Sequence, residues 1–269
     1  MSYILETRGL TRTFGAVTAA SDISVAVEED SVIGLIGTNG AGKTTFVNMV
    51  TGYLKPTTGT IWFKGQDITP LHPRQITRRG ISRSFQIPQL YGSLTALDNL
   101  VVAFGIVLRN AKPSPFGRVP KLVPGYGVPL QEAAEAMLER FGLTEFRDKP
   151  ASVLPGGVRK LLDIAMALTV KPEVLMLDEP TSGVSSEEKF AIMDRVMQAA
   201  RAEGATVLFV EHDMDIVSRY AQRVLAFYDG RIIADGDTAT VLADEEVRRY
   251  VIGNRGREVE QGVAHAQNR

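Results

Sequence analysis

Gly37-Thr38-Asn39-Gly40-Ala41-Gly42-Lys43-Thr44 decides the fold of this chain. The stretch has the form G-x-x-x-x-G-K-[ST] of phosphate-binding loops. Its flanks fit that role. The apolar run at 31–36 reads as a buried strand, and 43–53 reads as a helix. The glycines let the backbone curl so that successive N–H groups converge on phosphate oxygens. The helix N-terminus adds partial positive charge. Lys43 is then placed to reach the β- and γ-phosphates of a nucleotide, and the Thr44 hydroxyl to hold Mg²⁺. A glycine loop arising by chance would lack this strand–loop–helix setting.

The 269 residues are 44% hydrophobic and 23% charged, with a formal net charge of −1. That suits one large globular domain or two small ones with ample core. A near-neutral balance gives no general attraction to nucleic acid. With no cysteines there is neither a disulfide framework nor a cysteine–metal site, which fits the cytoplasm. The first residues lack the basic start and long apolar stretch of a signal peptide. The longest apolar run, 100–108, falls far short of the ~20 residues a membrane helix needs.

Short strands are expected at 3–8, 23–27, 32–36, 60–64 and 81–85, with a short helix at 69–79 that has Pro73 near its start. From Thr95, Leu97, Leu100, Val101 and Phe104 fall at helical spacing. Prolines 113, 115, 120, 124 and 129 then exclude a regular helix or central strand, and predict an extended or mobile insertion. Helices follow at 131–141 and 156–169, and strands at 173–177 and 206–210 with a helix between them. Strand–helix–strand order implies a parallel sheet with right-handed crossovers, so ligand chemistry belongs at the carboxyl ends of those strands. Asp229-Gly230 marks a hairpin, and the polar tail after Gly253 is expected to fray.

Val174-Leu175-Met176-Leu177-Asp178-Glu179 is an apolar strand ending in two carboxylates. Asp178 suits Mg²⁺, which takes oxygen ligands and keeps several waters. Glu179 is placed to polarise a water beside a γ-phosphate. An acidic turn after a core strand would look the same without the upstream loop. Glu211-His212-Asp213 follows the next strand, which puts His212 on the same rim, either as a γ-phosphate contact or as a plain turn histidine. Gln86, after Ser84-Phe85, is a neutral oxygen source for Mg²⁺ or for the attacking water. His72 and His265 carry no signal.

Taken in order, these segments closely resemble the ATP-binding cassette ATPases. Leu154-Pro155-Gly156-Gly157-Val158-Arg159-Lys160 stands where that family has its signature, and Asp178-Glu179-Pro180-Thr181-Ser182 follows. The resemblance runs from residue 3 to about residue 253. It implies an α/β phosphate-loop NTPase cassette with a mixed RecA-like core, an antiparallel β subdomain and a helical subdomain. The implied boundaries are 3–253 for one ATPase domain and 254–269 for a polar tail. Within the domain, 3–86 and 171–235 form the catalytic core with the β subdomain, and 236–253 the C-terminal helices. The helical subdomain is 87–170, including the Pro-rich insertion 111–129.

The same resemblance implies ATP and Mg²⁺ as cofactors. Phe14 would stack on adenine with Val17 beside it. Gly37, Thr38, Asn39, Gly40, Ala41, Gly42, Lys43, Thr44 and Thr45 would hold the phosphates. Thr44, Gln86 and Asp178 would serve the metal. Glu179 would act as base, and His212 would contact the γ-phosphate. Pro155, Gly156 and Gly157 would face the ATP of a second cassette. Without the family, Phe14 reads equally well as core.

Two departures stand out. The family signature is Leu-Ser-Gly-Gly-Gln, but here Pro155 replaces the serine and Val158 the glutamine, and proline offers neither hydroxyl nor N–H. Ser185 stands where the family carries Asp or Asn. The chain's own phosphate loop and carboxylates are intact, so the expected partner is a different cassette whose signature completes this chain's site. A homodimer is the alternative. The insertion and the ending Asp244-Glu245-Glu246-Val247-Arg248-Arg249-Tyr250-Val251-Ile252-Gly253 resemble the branch that imports branched-chain amino acids. Related urea or amide importers and lipopolysaccharide exporters share that ending.

The implied partners are two separate transmembrane permeases, the second cassette and, indirectly, a periplasmic binding protein, with no nucleic acid. The implied location is peripheral, on the cytoplasmic face of the inner (plasma) membrane. Permease loops are expected near Gln86 and the apolar segment 90–108, although that segment suits the core of the helical subdomain equally well. The rival from another class is a soluble cassette ATPase that regulates a non-transport assembly.

Overall fold

The computed structural model describes residues 3–111 and 120–253. In chain order the elements are β1 (Leu5–Phe14), β2 (Val17–Val27), β3 (Val32–Gly37), α1 (Lys43–Val50), β4 (Thr58–Phe63), β5 (Gln66–Asp67), α2 (Pro73–Arg79) and β6 (Ile81–Arg83). Next come α3 (Ala96–Asn110), α4 (Leu130–Arg140), α5 (Gly156–Leu168), β7 (Val174–Asp178), α6 (Glu188–Ala202), β8 (Thr206–Val210) and α7 (Met214–Tyr220). The chain closes with β9 (Arg223–Tyr228), β10 (Arg231–Asp237), α8 (Thr238–Ala243), α9 (Glu245–Val247) and a π-turn at Arg248–Ile252.

Two sheets organise these elements. A six-stranded sheet has the order β10-β9-β3-β8-β7-β6, parallel except for β10. A four-stranded antiparallel sheet has the order β2-β1-β4-β5. The expected mixed core and antiparallel β layer are both present.

Why the central strands read as unbroken apolar runs is now clear. Ile33 and Leu35 of β3 pack with the antiparallel sheet and α1, while Val32 and Ile36 pack with the helices on the other face. β7 and β8 divide in the same way, with Met176 on one side and Leu175 and Leu177 on the other. A strand covered on both faces has no polar alternation to show.

The segment 90–108 resolves mainly as core. Leu97, Leu100, Ala103 and Phe104 of α3 are buried, whereas Ile106 is half exposed. The insertion divides. Residues 112–119, with Pro113 and Pro115, lie outside the described residues, as does the tail 254–269. Residues 120–129 are neither helix nor sheet strand, as the prolines require, but they are packed. Leu122 bridges Pro129, Val123 is buried, and the Tyr126 ring meets Phe104 edge-on at 5.0 Å. The Tyr126 hydroxyl donates to the Leu168 carbonyl at 3.2 Å, and burial raises its pKa. An aromatic anchor seats this part of the insertion, which proline spacing alone does not reveal.

Phe104→Ala should lower the unfolding free energy by about 3–5 kcal/mol through cavity formation. A urea titration reads this as a lower midpoint. An unchanged midpoint would contradict the packing of this turn on α3.

Candidate functional site

Parallel register puts the reactive side chains on one rim. Leu35 and Asp178 both lie beside Val210, and Arg83 lies beside Met176. The carboxyl ends of β3, β8, β7 and β6 therefore open in the same direction. From them emerge the phosphate loop, Glu211-His212, Glu179 and the Gln86 segment.

The loop geometry depends on glycine at two places. Gly42 has φ 103°, and a Cβ there would lie 2.8 Å from the Ala19 carbonyl oxygen. A Cβ on Gly37 would lie 2.5 Å from the Phe227 carbonyl oxygen. Thr38, Asn39, Gly40 and Thr44 are exposed, Thr45 is half-buried, and Gly37, Ala41, Gly42 and Lys43 are buried. The Lys43 ammonium donates to the carbonyls of Gly37 at 2.7 Å and Thr38 at 3.0 Å. Burial lowers its pKa, against the opposing pull of Glu179 and Asp178. It is a cation held at the loop and aimed at the place where phosphate charge would sit.

Asp178 is not alone. Its Oδ2 accepts from Arg83 at 2.6 Å, with both side chains almost fully buried. Arg83 also donates to Asn48 Oδ1 on α1, and its guanidinium lies 4.8 Å over the Phe85 ring. Its buried Nε has no partner among the described residues.

Glu179 adopts a left-handed backbone, φ 49°. Such a conformation costs a residue with a side chain about 1–3 kcal/mol, and it turns Glu179 off the strand axis. One carboxylate oxygen accepts from Gln86 Nε2 at 2.9 Å. The other lies 2.9 Å from His212 Nε2. Three predicted residues therefore converge on a single carboxylate. Behind them Glu211 is buried and ties down the turn, accepting from the Thr181 amide and hydroxyl at 3.0 and 2.7 Å. Burial raises the Glu211 pKa.

Phe14 and Val17 flank the turn of the β1–β2 hairpin and are 49% and 66% exposed, so Phe14 is not a core residue. Further along β2, Ala19 packs on Gly42 and the Ser21 amide donates to Gly230 at 2.8 Å. The hairpin thus reaches the edge of the phosphate loop. Pro155 caps α5 without a side-chain hydrogen bond, and Pro155 and Gly156 are exposed while Gly157 is half-buried. Gly156 and Gly157 lie against Gly183 and Val184, a few residues beyond Glu179. A Cβ on Gly157 would lie 3.1 Å from Ile192, so only a small residue packs there easily. The Ser185 hydroxyl donates to Glu188 at 2.8 Å.

Sequence reasoning missed Arg83, Glu211 as an anchor, and a pair of buried charges on α5, Lys160 and Asp163. Asp163 falls inside an apolar run and Glu211 ends one, which was the available signal; Arg83, between Ser82 and Ser84, and Lys160, after Arg159, carry none. It also missed Val251 and Ile252 of the C-terminal turn. They help line a cleft of about 1030 Å³ together with Gly37, Glu179 and His212.

The ABC transporter family model matches residues 20–182. The probable branched-chain amino acid transport ATP-binding protein LivG of Archaeoglobus fulgidus is 34% identical over 267 residues, covering 97% of this chain and 99% of that protein. The high-affinity branched-chain amino acid transport ATP-binding protein LivG of Escherichia coli K12 is 33% identical over 250 residues, covering 93% and 98%. Among solved structures, MJ1267, an ATP-binding cassette of an ABC transporter, superposes with a TM-score of 0.78 at 33% identity, covering 92% of this chain and 98% of that one.

Arg83→Met should strand the buried Asp178 carboxylate and destabilise the nucleotide-free protein by about 3–5 kcal/mol. Thermal unfolding without nucleotide measures this. An unchanged transition would mean that the pair does not form.

Proposed function

This chain belongs to the ABC transporter family, and we propose that it hydrolyses ATP to drive import of branched-chain or other hydrophobic amino acids. The observation carrying the chemistry is the Glu179 carboxylate held between Gln86 and His212 at the rim shared with Lys43. The named transport role of the LivG relatives, matched over nearly their whole length, favours amino acids over urea, amides or lipopolysaccharide. It also favours a transporter over a soluble assembly regulator.

Exposed Phe14 offers a ring for adenine, with Val17 beside it. The loop amides, Lys43, Thr44 and Thr45 take the phosphates. The donor set fits Mg²⁺. Thr44, Gln86 and Asp178 offer hydroxyl, amide and carboxylate oxygens, and among the described residues no three His, Cys, Asp or Glu form a metal cage. Mg²⁺ characteristically takes few protein oxygens and completes its shell with phosphate and water. Bound there, it would neutralise charge on the phosphate oxygens. Glu179 orients and deprotonates the attacking water. His212 and Gln86 hold that carboxylate, and His212 faces the γ-phosphate.

No helix among the described residues is long and apolar enough to cross a membrane. In this reading partner permeases supply the transport path, and the chain works from the cytoplasmic face of the membrane. A groove of about 930 Å³ between α2, α3 and the 124 turn suits their loops. Tyr53, Ile106 and Val107 supply its apolar wall, and Arg74, Arg78 and Arg109 its charge. Tyr53 meets Phe85 edge-on at 5.5 Å, which gives the groove a short path to Gln86.

The second cassette is read as a different chain because Pro155 presents no hydroxyl to its ATP. Two substitutions test the assignment. Glu179→Gln should bind ATP with wild-type affinity while turnover falls about 100-fold or more. Retained turnover would remove Glu179 from the chemistry. Pro155→Ser should raise the ATPase rate of the assembled pair. No rise would count against the unequal dimer.

A further inference from the structure

α5 carries two buried charges that the chemistry above does not use. Lys160 and Asp163 are 5% and 6% exposed, and they lie within the first turns after Gly156-Gly157. Neither touches the phosphate loop. Both grip the backbone of the segment that presents Gln86, and Lys160 also grips that of Glu179.

The Lys160 ammonium donates to the carbonyls of Gln86, of Phe85 at 3.3 Å and of Glu179 at 3.1 Å. An ammonium has three protons and no acceptor, so all three are committed to backbone. Asp163 completes the grip from one turn further on. Its oxygens accept from the amides of Phe85 at 3.1 Å and Gln89 at 2.9 Å. A charge buried this deeply is tolerated only when its hydrogen bonds are satisfied. Burial lowers the Lys160 pKa, and the neighbouring Asp163 opposes that shift.

The contact with Glu179 matters most. Its left-handed φ of 49° is the strained turn that aims the carboxylate at Gln86 and His212. Glu179 donates its amide to Val210 at 3.0 Å, while its carbonyl accepts from Ser182 at 3.1 Å and from Lys160. Lys160 is therefore the one side chain among the described residues that holds both Glu179 and Gln86 by their main chain. It belongs to the helix whose first residues are Gly156-Gly157. A helix moves as a rod, so displacement at its N-terminal end reaches both groups together.

We propose that Lys160 is a positioning residue that couples the glycine end of α5 to the geometry of the Glu179–Gln86 pair in the same chain. The proposal rests on Glu179 acting in hydrolysis. In the assembled protein, contact of Gly156-Gly157 with the partner cassette is then felt at this chain's own carboxylate. Asp163 fixes the Gln86 loop against the same helix.

The test compares Lys160→Met, Lys160→Arg, Asp163→Asn and Glu179→Gln in the full chain, purified with its membrane partners. Steady-state ATP turnover and equilibrium binding of a fluorescent ATP analogue are both measured. Lys160→Met should lower kcat about 10–100-fold, the scale expected when a reacting group is misplaced, with the dissociation constant within about twofold of wild type. Lys160→Arg, which keeps several donors, should recover most of the loss. Asp163→Asn, the milder change, should give an intermediate loss and faster amide exchange at Phe85 and Gln89. That measurement stands if Lys160→Met fails to fold.

Wild-type kcat in Lys160→Met and Asp163→Asn would overturn the proposal. So would equal losses of kcat and nucleotide affinity that Lys160→Arg does not repair. Full turnover in Glu179→Gln would overturn the underlying catalytic assignment instead, so the two failures are distinguishable.

Discussion

The backbone ladder between β7 and β8, in which Asp178 lies beside Val210, sets where each reactive side chain of this chain can stand. β8 also pairs with β3, so the same register places the phosphate loop across the rim from Glu179. β6 extends the ladder on the other side of β7 and delivers Arg83, then Gln86. These strands are buried on both faces, and a slip of one residue would drive every core side chain to the wrong side. The site inherits its precision from the core. Gly37 and Gly42 then permit a backbone approach that a Cβ would block.

That placement crowds negative charge. Asp178, Glu179 and Glu211 lie within consecutive turns of one rim, and Asp178 and Glu211 are almost fully buried. Removing a carboxylate from water costs several kcal/mol unless it is paired or hydrogen-bonded. Each is answered differently. Asp178 has the Arg83 guanidinium, Glu211 has the Thr181 amide and hydroxyl, and Glu179 has Gln86 and His212. Lys43 and Lys160 bring buried positive charge from α1 and α5. The cations come from three elements, β6, α1 and α5, so the rim ties the sheet to the helices around it as well as presenting chemistry.

Much of this was legible in the residues. The loop 37–44, the strand ends and the Asp229-Gly230 hairpin all carry local signals, because turns and buried strands are set by neighbouring residues. Gln86, Glu179 and His212 were legible as candidates, but not their meeting on one carboxylate, which depends on strand order and on the φ of Glu179. Phe14 was ambiguous because an aromatic at a strand end suits core or ligand equally, and only its exposure separates the two. Asp163 was visible only as a charge interrupting an apolar run, and Lys160 and Arg83 only as charges beside polar neighbours. What each charge meets is a long-range fact, set by packing between segments far apart in the chain. The seat of the 120–129 turn was hidden for the same reason, since Tyr126 finds its partner on α3.

The proposed function rests on two connected surfaces. Tyr53 and Phe85 join the groove beside α2 and α3 to the Gln86 segment, and Gln86 touches Glu179. Movement at the groove therefore has a short route to the carboxylate proposed to activate water. The most direct test is ATP hydrolysis by this chain reconstituted with the proposed permeases in lipid vesicles, measured with and without leucine and the proposed binding protein. The account predicts a several-fold rise in hydrolysis with leucine, accompanied by leucine accumulation inside the vesicles. Hydrolysis indifferent to leucine, with no uptake, would contradict it.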